Sequence, residues 1–137
     1  MKTSSYEETV INLLLKSKIK FVREKTFNDL KNGKLRFDFY LFTSRPVIIE
    51  VDGQYHFQPI RGKAALMKQK EYDRIKNTWC LAHEIPLYRI PYWEIDKLIC
   101  AQDLFNQNYL VTSKWHNDFL SEPQKVVSKR KKMILIK

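Results

Sequence analysis

"LRFDFYLFTSRPVIIEVDG", residues 35–53, decides how this chain reads. Two runs with the alternation of β-strands, 35–42 and 47–53, flank a Thr-Ser-Arg-Pro turn. Strand side chains alternate between faces. In the first run Leu35, Phe37, Phe39 and Leu41 are therefore expected on one side, with Arg36, Asp38 and Tyr40 on the other. In the second run Val47, Ile49 and Val51 oppose Ile48, Glu50 and Asp52. Asp38, Glu50 and Asp52 can then gather on one face of a hairpin. Carboxylates in a run of Val and Ile are costly to bury unless they are paired or bind a metal.

Working outward, "SSYEETVINLLLKS" (4–17) predicts a helix capped by Ser4 or Ser5, with acids in its first turn where the helix dipole favours them. Val10, Ile11 and Leu14 share a face with Glu7, while Glu8 lies to the side. Residues 18–27 predict a strand, followed by a turn at Asn32-Gly33. After the hairpin, 54–64 is expected to be irregular, broken by Pro59 and Gly62. Residues 65–84 predict a long helix with Tyr72, Ile75 and Trp79 as its apolar stripe and Asp73 and Lys76 on a neighbouring side. Residues 85–92 predict a strand and "WEIDKLICAQDLF" (93–105) a third helix. The order helix, three strands, helix, strand, helix implies an α/β sandwich around a central mixed sheet.

Composition narrows the function. With 25 Lys and Arg against 15 Asp and Glu, the formal charge is +10. A small basic protein suits a nucleic-acid partner, since each neutralised phosphate releases counterions. The run Lys129, Arg130, Lys131 and Lys132 reads as an arm on a DNA backbone. No stretch of about 18 apolar residues suggests a membrane span. The start, "MKTSSYEETV", has no apolar leader core. The two cysteines, Cys80 and Cys100, have neither metal-site nor disulfide spacing. Core packing is expected for both, in a reducing, cytoplasmic compartment (that of a host cell if the chain is phage-encoded). The absence of a Gly-rich phosphate loop argues against a nucleotide cofactor.

Three acids on one face repel one another, and a divalent cation removes that penalty. Oxygen ligands suit Mg²⁺ or Mn²⁺. Beside a basic surface, such an ion points to phosphodiester chemistry, with His56 placed to transfer a proton.

"LRFDFYL…VIIEVDGQYHF…YDRIKNTWCLAHEIPLYRIPY" resembles the PD-(D/E)XK nuclease superfamily. Its nearest branch is that of small phage and bacterial endonucleases, some of them homing enzymes, similar to the very-short-patch repair endonuclease. The resemblance spans about residues 5–100. It implies a restriction-endonuclease-like fold, a central mixed β-sheet flanked by helices. It also implies a single nuclease domain over 1–120, followed by a basic tail over 121–137.

On this resemblance Asp38 matches the first metal-binding acid and Glu50 the second. Asp52 stands where the family pattern has lysine, and His56 would fill the missing role. The metal set implied is Asp38, Glu50 and Asp52, with a backbone carbonyl. Glu7, with Glu8 as the fallback, matches the first-helix glutamate, and Asp73, Arg74 and Lys76 would lie near the substrate or support the site, Arg74 and Lys76 as nucleic-acid contacts. The function implied is a Mg²⁺- or Mn²⁺-dependent DNA endonuclease. The alternative is a catalytically inactive DNA-binding module or partner subunit on a nuclease-like fold. Duplex DNA, branched DNA and RNA all remain open as substrates. A symmetric double-strand cut would need a homodimer, whereas a monomer that nicks is equally allowed.

Overall fold

The computed structural model describes residues 3–113. The basic run at Lys129–Lys132 and His116 lie outside these described residues. Helix α1 (Ser5–Lys16) begins where expected: the Ser4 hydroxyl accepts a hydrogen bond from the Glu7 backbone N–H at 3.1 Å, and Glu7 and Glu8 fill the first turn. Strands β1 (Phe21–Thr26), β2 (Arg36–Leu41) and β3 (Val47–Asp52) follow, then helix α2 (Lys63–Ala82) and strand β4 (Leu87–Pro91).

The four strands form one mixed sheet in the order β1-β2-β3-β4. β1, β2 and β3 pair antiparallel, and β4 joins β3 in parallel after the α2 crossover, which a parallel connection requires. The chain leaves β1 through the expected turn, in which Lys31, Asn32 and Gly33 all have positive φ. Asn and Gly tolerate this left-handed region best.

Each face of the sheet has its own core. Val10, Leu13 and Leu14 of α1, with Ile95, Ala101 and Leu104, cover Phe39, Leu41, Ile49, Val51 and Ile90. On the other face Trp79 and Cys80 of α2, with Leu30, cover Phe37, Ile48 and Leu87. The sheet with its flanking helices matches the expected α/β class.

Three local expectations need correction. Phe37 and Phe39 serve opposite cores, so alternation breaks at Asp38. Opposite it on β1, Glu24 has a left-handed φ of 57°, and the β1–β2 pairing runs from Arg23↔Phe39 to Lys25↔Phe37 around this point. The expected third helix is instead two 3₁₀ segments, Tyr92–Lys97 and Ala101–Phe105. The Asp103 carboxylate accepts from the backbone N–H groups of Ile99 at 2.7 Å and Cys100 at 3.3 Å, which restarts the helix there. Cys80 is buried as expected, but Cys100, at that restart, is exposed.

Candidate active site

Alternation along β3 turns Ile49 and Val51 towards α1, and Ile48, Glu50 and Asp52 towards α2. In the parallel ladder Glu50 sits beside Arg89 of β4. The face of α2 that meets them is polar: Asp73, Lys76 and Asn77 lie within one turn. The expected stripe of Tyr72, Ile75 and Trp79 is therefore only part of the buried surface, and Asp73 and Lys76 point inward rather than along the side.

Two linked groups result. In the first, Asp38 Oδ2 accepts from the Val51 backbone N–H at 2.8 Å, and its carboxyl lies close enough to Glu50 for the two charges to interact. Lys76 Nζ donates to Glu50 Oε2 at 2.6 Å and lies 5.3 Å from the centre of the Phe37 ring. Burial, and then the charge of Glu50, push Asp38 well above the ordinary carboxylate range. Burial also works against the Glu50 carboxylate, but Lys76 and Arg89 outweigh it and hold Glu50 below its ordinary value. The Glu50 charge therefore disfavours ionised Asp38, a penalty that a cation bound between hard oxygen ligands would relieve.

In the second group Arg89, with no exposed surface, is the centre. Its Nη1 donates to Asp52 Oδ1 at 2.7 Å and its Nε to Asn77 Oδ1 at 2.7 Å. Its Nη2 lies 3.4 Å from the Asp73 carbonyl oxygen and 3.5 Å from Asp73 Oδ1. His56 follows β3 on a 3₁₀ turn, Gln54–His56. Its Nδ1 is 2.9 Å from Asp73 Oδ2 and 3.5 Å from Asp52 Oδ1. Gln69 Nε2 donates to Asp73 Oδ1 at 3.0 Å. Burial would lower the His56 pKa, but the charges of Asp52 and Asp73 outweigh it and raise it.

The structure therefore joins Asp38, Glu50 and Lys76, and next to them Asp52, His56 and Asp73. Asp52 was expected to ligate the metal, but Arg89 occupies it as an ion-pair partner. Among the described residues no group of three or more His, Cys, Asp or Glu side chains is placed to hold a metal ion. Glu7 pairs with Arg23 of β1 at 2.8 Å, so the expected helix glutamate is engaged there. Arg74 pairs with Glu71 on the exposed side of α2, away from Lys76. His83 packs on Trp79 and binds Asp29 at 2.9 Å, in keeping with a surface and packing role.

Sequence reasoning gave no role to Arg89 or Asn77; Lys76 was expected near the substrate or supporting the site, and it supports Glu50. The signal for Arg89 was available: an arginine flanked by Tyr88 and Ile90 in an otherwise apolar strand must find buried acids.

The ion network makes the fold acid-sensitive. Against burial, Arg89 and the His56 hydrogen bond lower Asp73 from 3.8 to about 2. A carboxylate depressed in this way contributes stability that is present above pH 3.8 and lost as pH falls towards 2. The loss expected between about pH 5 and about pH 2 is about 2 kcal/mol. Urea unfolding of wild type and Asp73→Asn across that window should show the variant losing correspondingly less. His56 acts with the opposite sign: its contribution is complete below 6.5 and lost as pH rises through its elevated folded value.

No family model matches the chain, and neither a curated protein nor a solved structure does. No described helix is long and apolar enough to cross a membrane.

Proposed function

We propose that this chain is a metal-dependent DNA endonuclease of restriction-endonuclease-like fold, hydrolysing phosphodiester bonds at the Asp38–Glu50–Lys76 group. The observation that carries this reading is Lys76 Nζ at 2.6 Å from Glu50, whose charge in turn acts on Asp38. Lys76 brings from α2 the ammonium that the family pattern places two residues after the second acid, where this chain has Asp52.

Asp38 and Glu50 fit a divalent cation: both are hard oxygen donors, and the Glu50 charge works against ionised Asp38, a repulsion that a cation would relieve. Mg²⁺ or Mn²⁺ bound there would supply Lewis acidity towards a phosphate oxygen and lower the pKa of a coordinated water. Lys76 holds Glu50 ionised and adds a positive charge beside the phosphate. His56, fixed through Nδ1, is left with Nε2 to exchange a proton with the substrate or its water. The +10 chain charge favours a polyanionic partner.

The test is cleavage of supercoiled plasmid and of branched DNA with Mg²⁺ or Mn²⁺, with EDTA as control. The expected result is metal-dependent nicking or cutting that Asp38→Ala and His56→Ala each abolish while DNA binding persists. Binding with no cleavage under any metal would leave the inactive DNA-binding module as the better reading. Full activity of both variants would remove the assigned site.

A further inference from the structure

We propose that Arg89 is the positioning residue for His56: its buried guanidinium holds Asp52 and Asp73, the two carboxylates that grip His56 Nδ1. The inference takes from the nuclease reading only the proton-transferring role of His56.

The geometry has three parts. Arg89 reaches Asp52 of β3 at 2.7 Å and Asp73 of α2 at 3.4 and 3.5 Å, while Asn77 steadies its Nε at 2.7 Å. One side chain of β4 thus ties together the strand and the helix that flank the imidazole. The charges then fall one short of balance. Asp52 and Asp73 carry two negative charges and Arg89 one positive, so the remaining negative charge faces His56. The burial is also uneven: Arg89 is wholly buried, and the His56 side chain keeps 17% of its surface exposed. The network therefore runs from a wholly buried guanidinium to an imidazole at its rim.

Replacing a buried ion network with apolar side chains of equal volume is often neutral for stability, so stability alone gives little reason for this arrangement. Orientation does. With Nδ1 2.9 Å from Asp73 Oδ2, the neutral ring must carry its proton on Nδ1 to donate, which leaves Nε2 as the acceptor. A tautomer set by a second group is how a fixed carboxylate prepares a histidine for proton transfer. Arg89 does the same one step further back, because without it the two carboxylates repel and Asp73 loses its place.

Nitrogen-15 NMR of the His56 ring, at a pH where the ring is neutral, reads this directly. Wild type is expected to show the Nδ1–H form. Arg89→Met should release it to the mixture of an unrestrained imidazole. If Arg89→Met does not fold, Asn77→Ala removes only the Nε contact and should shift the same populations by a smaller amount. Unchanged tautomer populations in folded Arg89→Met, or in Asn77→Ala if the first is unfolded, would overturn the proposal. Where cleavage is measurable, the variants should lower kcat by about 10²-fold with KM unchanged, the scale of a misplaced general acid–base group. If wild type cleaves nothing, the nuclease reading fails while the NMR result still decides the role of Arg89.

Discussion

Asp38→Asn should make the metal-free protein more stable and leave it inactive. Burial and the Glu50 charge raise Asp38 well above the ordinary range, so at neutral pH the fold must either protonate this group or bear two adjacent charges. An acid raised on folding subtracts stability as pH climbs above its unfolded value, the reverse of Asp73. Asparagine reproduces the protonated form: its oxygen can accept from the Val51 N–H and its amide can donate to Glu50. The gain at neutral pH should appear as a higher Tm of the metal-free variant, because burial and the Glu50 charge no longer oppose an ionised group there. Cleavage should fall by about 10³-fold or more, the scale on which single electrostatic groups act in catalysis. Thermal unfolding separates the two effects. Added Mg²⁺ or Mn²⁺ should raise the Tm of wild type and leave that of Asp38→Asn nearly unmoved. Equal stability of the two proteins without metal, at neutral pH, would show that the carboxylates do not strain each other.

This trade explains why the hairpin was readable at all. Val, Ile and Phe runs fix strands, and period-two alternation assigns Glu50 and Asp52 to one face of β3 with no knowledge of their partners. The long helix and the class of the sheet followed from the same periodicities. What stayed hidden depended on partners distant in sequence. Lys76 and Asp73 are separated from Glu50 and His56 by 26 and 17 positions, and an inward-facing polar stripe on α2 has no apolar period to reveal it. The local surprises have local causes. Glu24 adopts a left-handed φ opposite Asp38, and there Phe37 and Phe39 part to opposite cores. Asp103 breaks the expected third helix by bonding backbone N–H groups. Glu7 sits on the expected face of α1, yet Arg23 lies within its reach first.

Lys76→Met should damage the fold strongly, and the damage should be curable at a second site. Glu50 is 3% exposed, and Lys76, whose side chain is 12% exposed, gives it a 2.6 Å ion pair. Removing one member of such a pair strands the other charge, at a cost of about 3–5 kcal/mol. Arg89 also attracts Glu50, which places the expected loss towards the lower end of that range. Methionine keeps the length of the stem and its contact with Phe37, so the loss measures charge rather than a cavity. Adding Glu50→Gln removes the stranded charge, and the double variant should recover most of the stability. Urea denaturation of the four proteins in the cycle should give a coupling of about 2 kcal/mol or more, well beyond the near-zero value of non-interacting sites. Activity should follow a different rule. Stability returns in the double variant, but cleavage does not, because the proposed chemistry needs both the carboxylate and the ammonium. A double variant that refolds and also cleaves would sever Lys76 and Glu50 from catalysis and leave them as a structural ion pair.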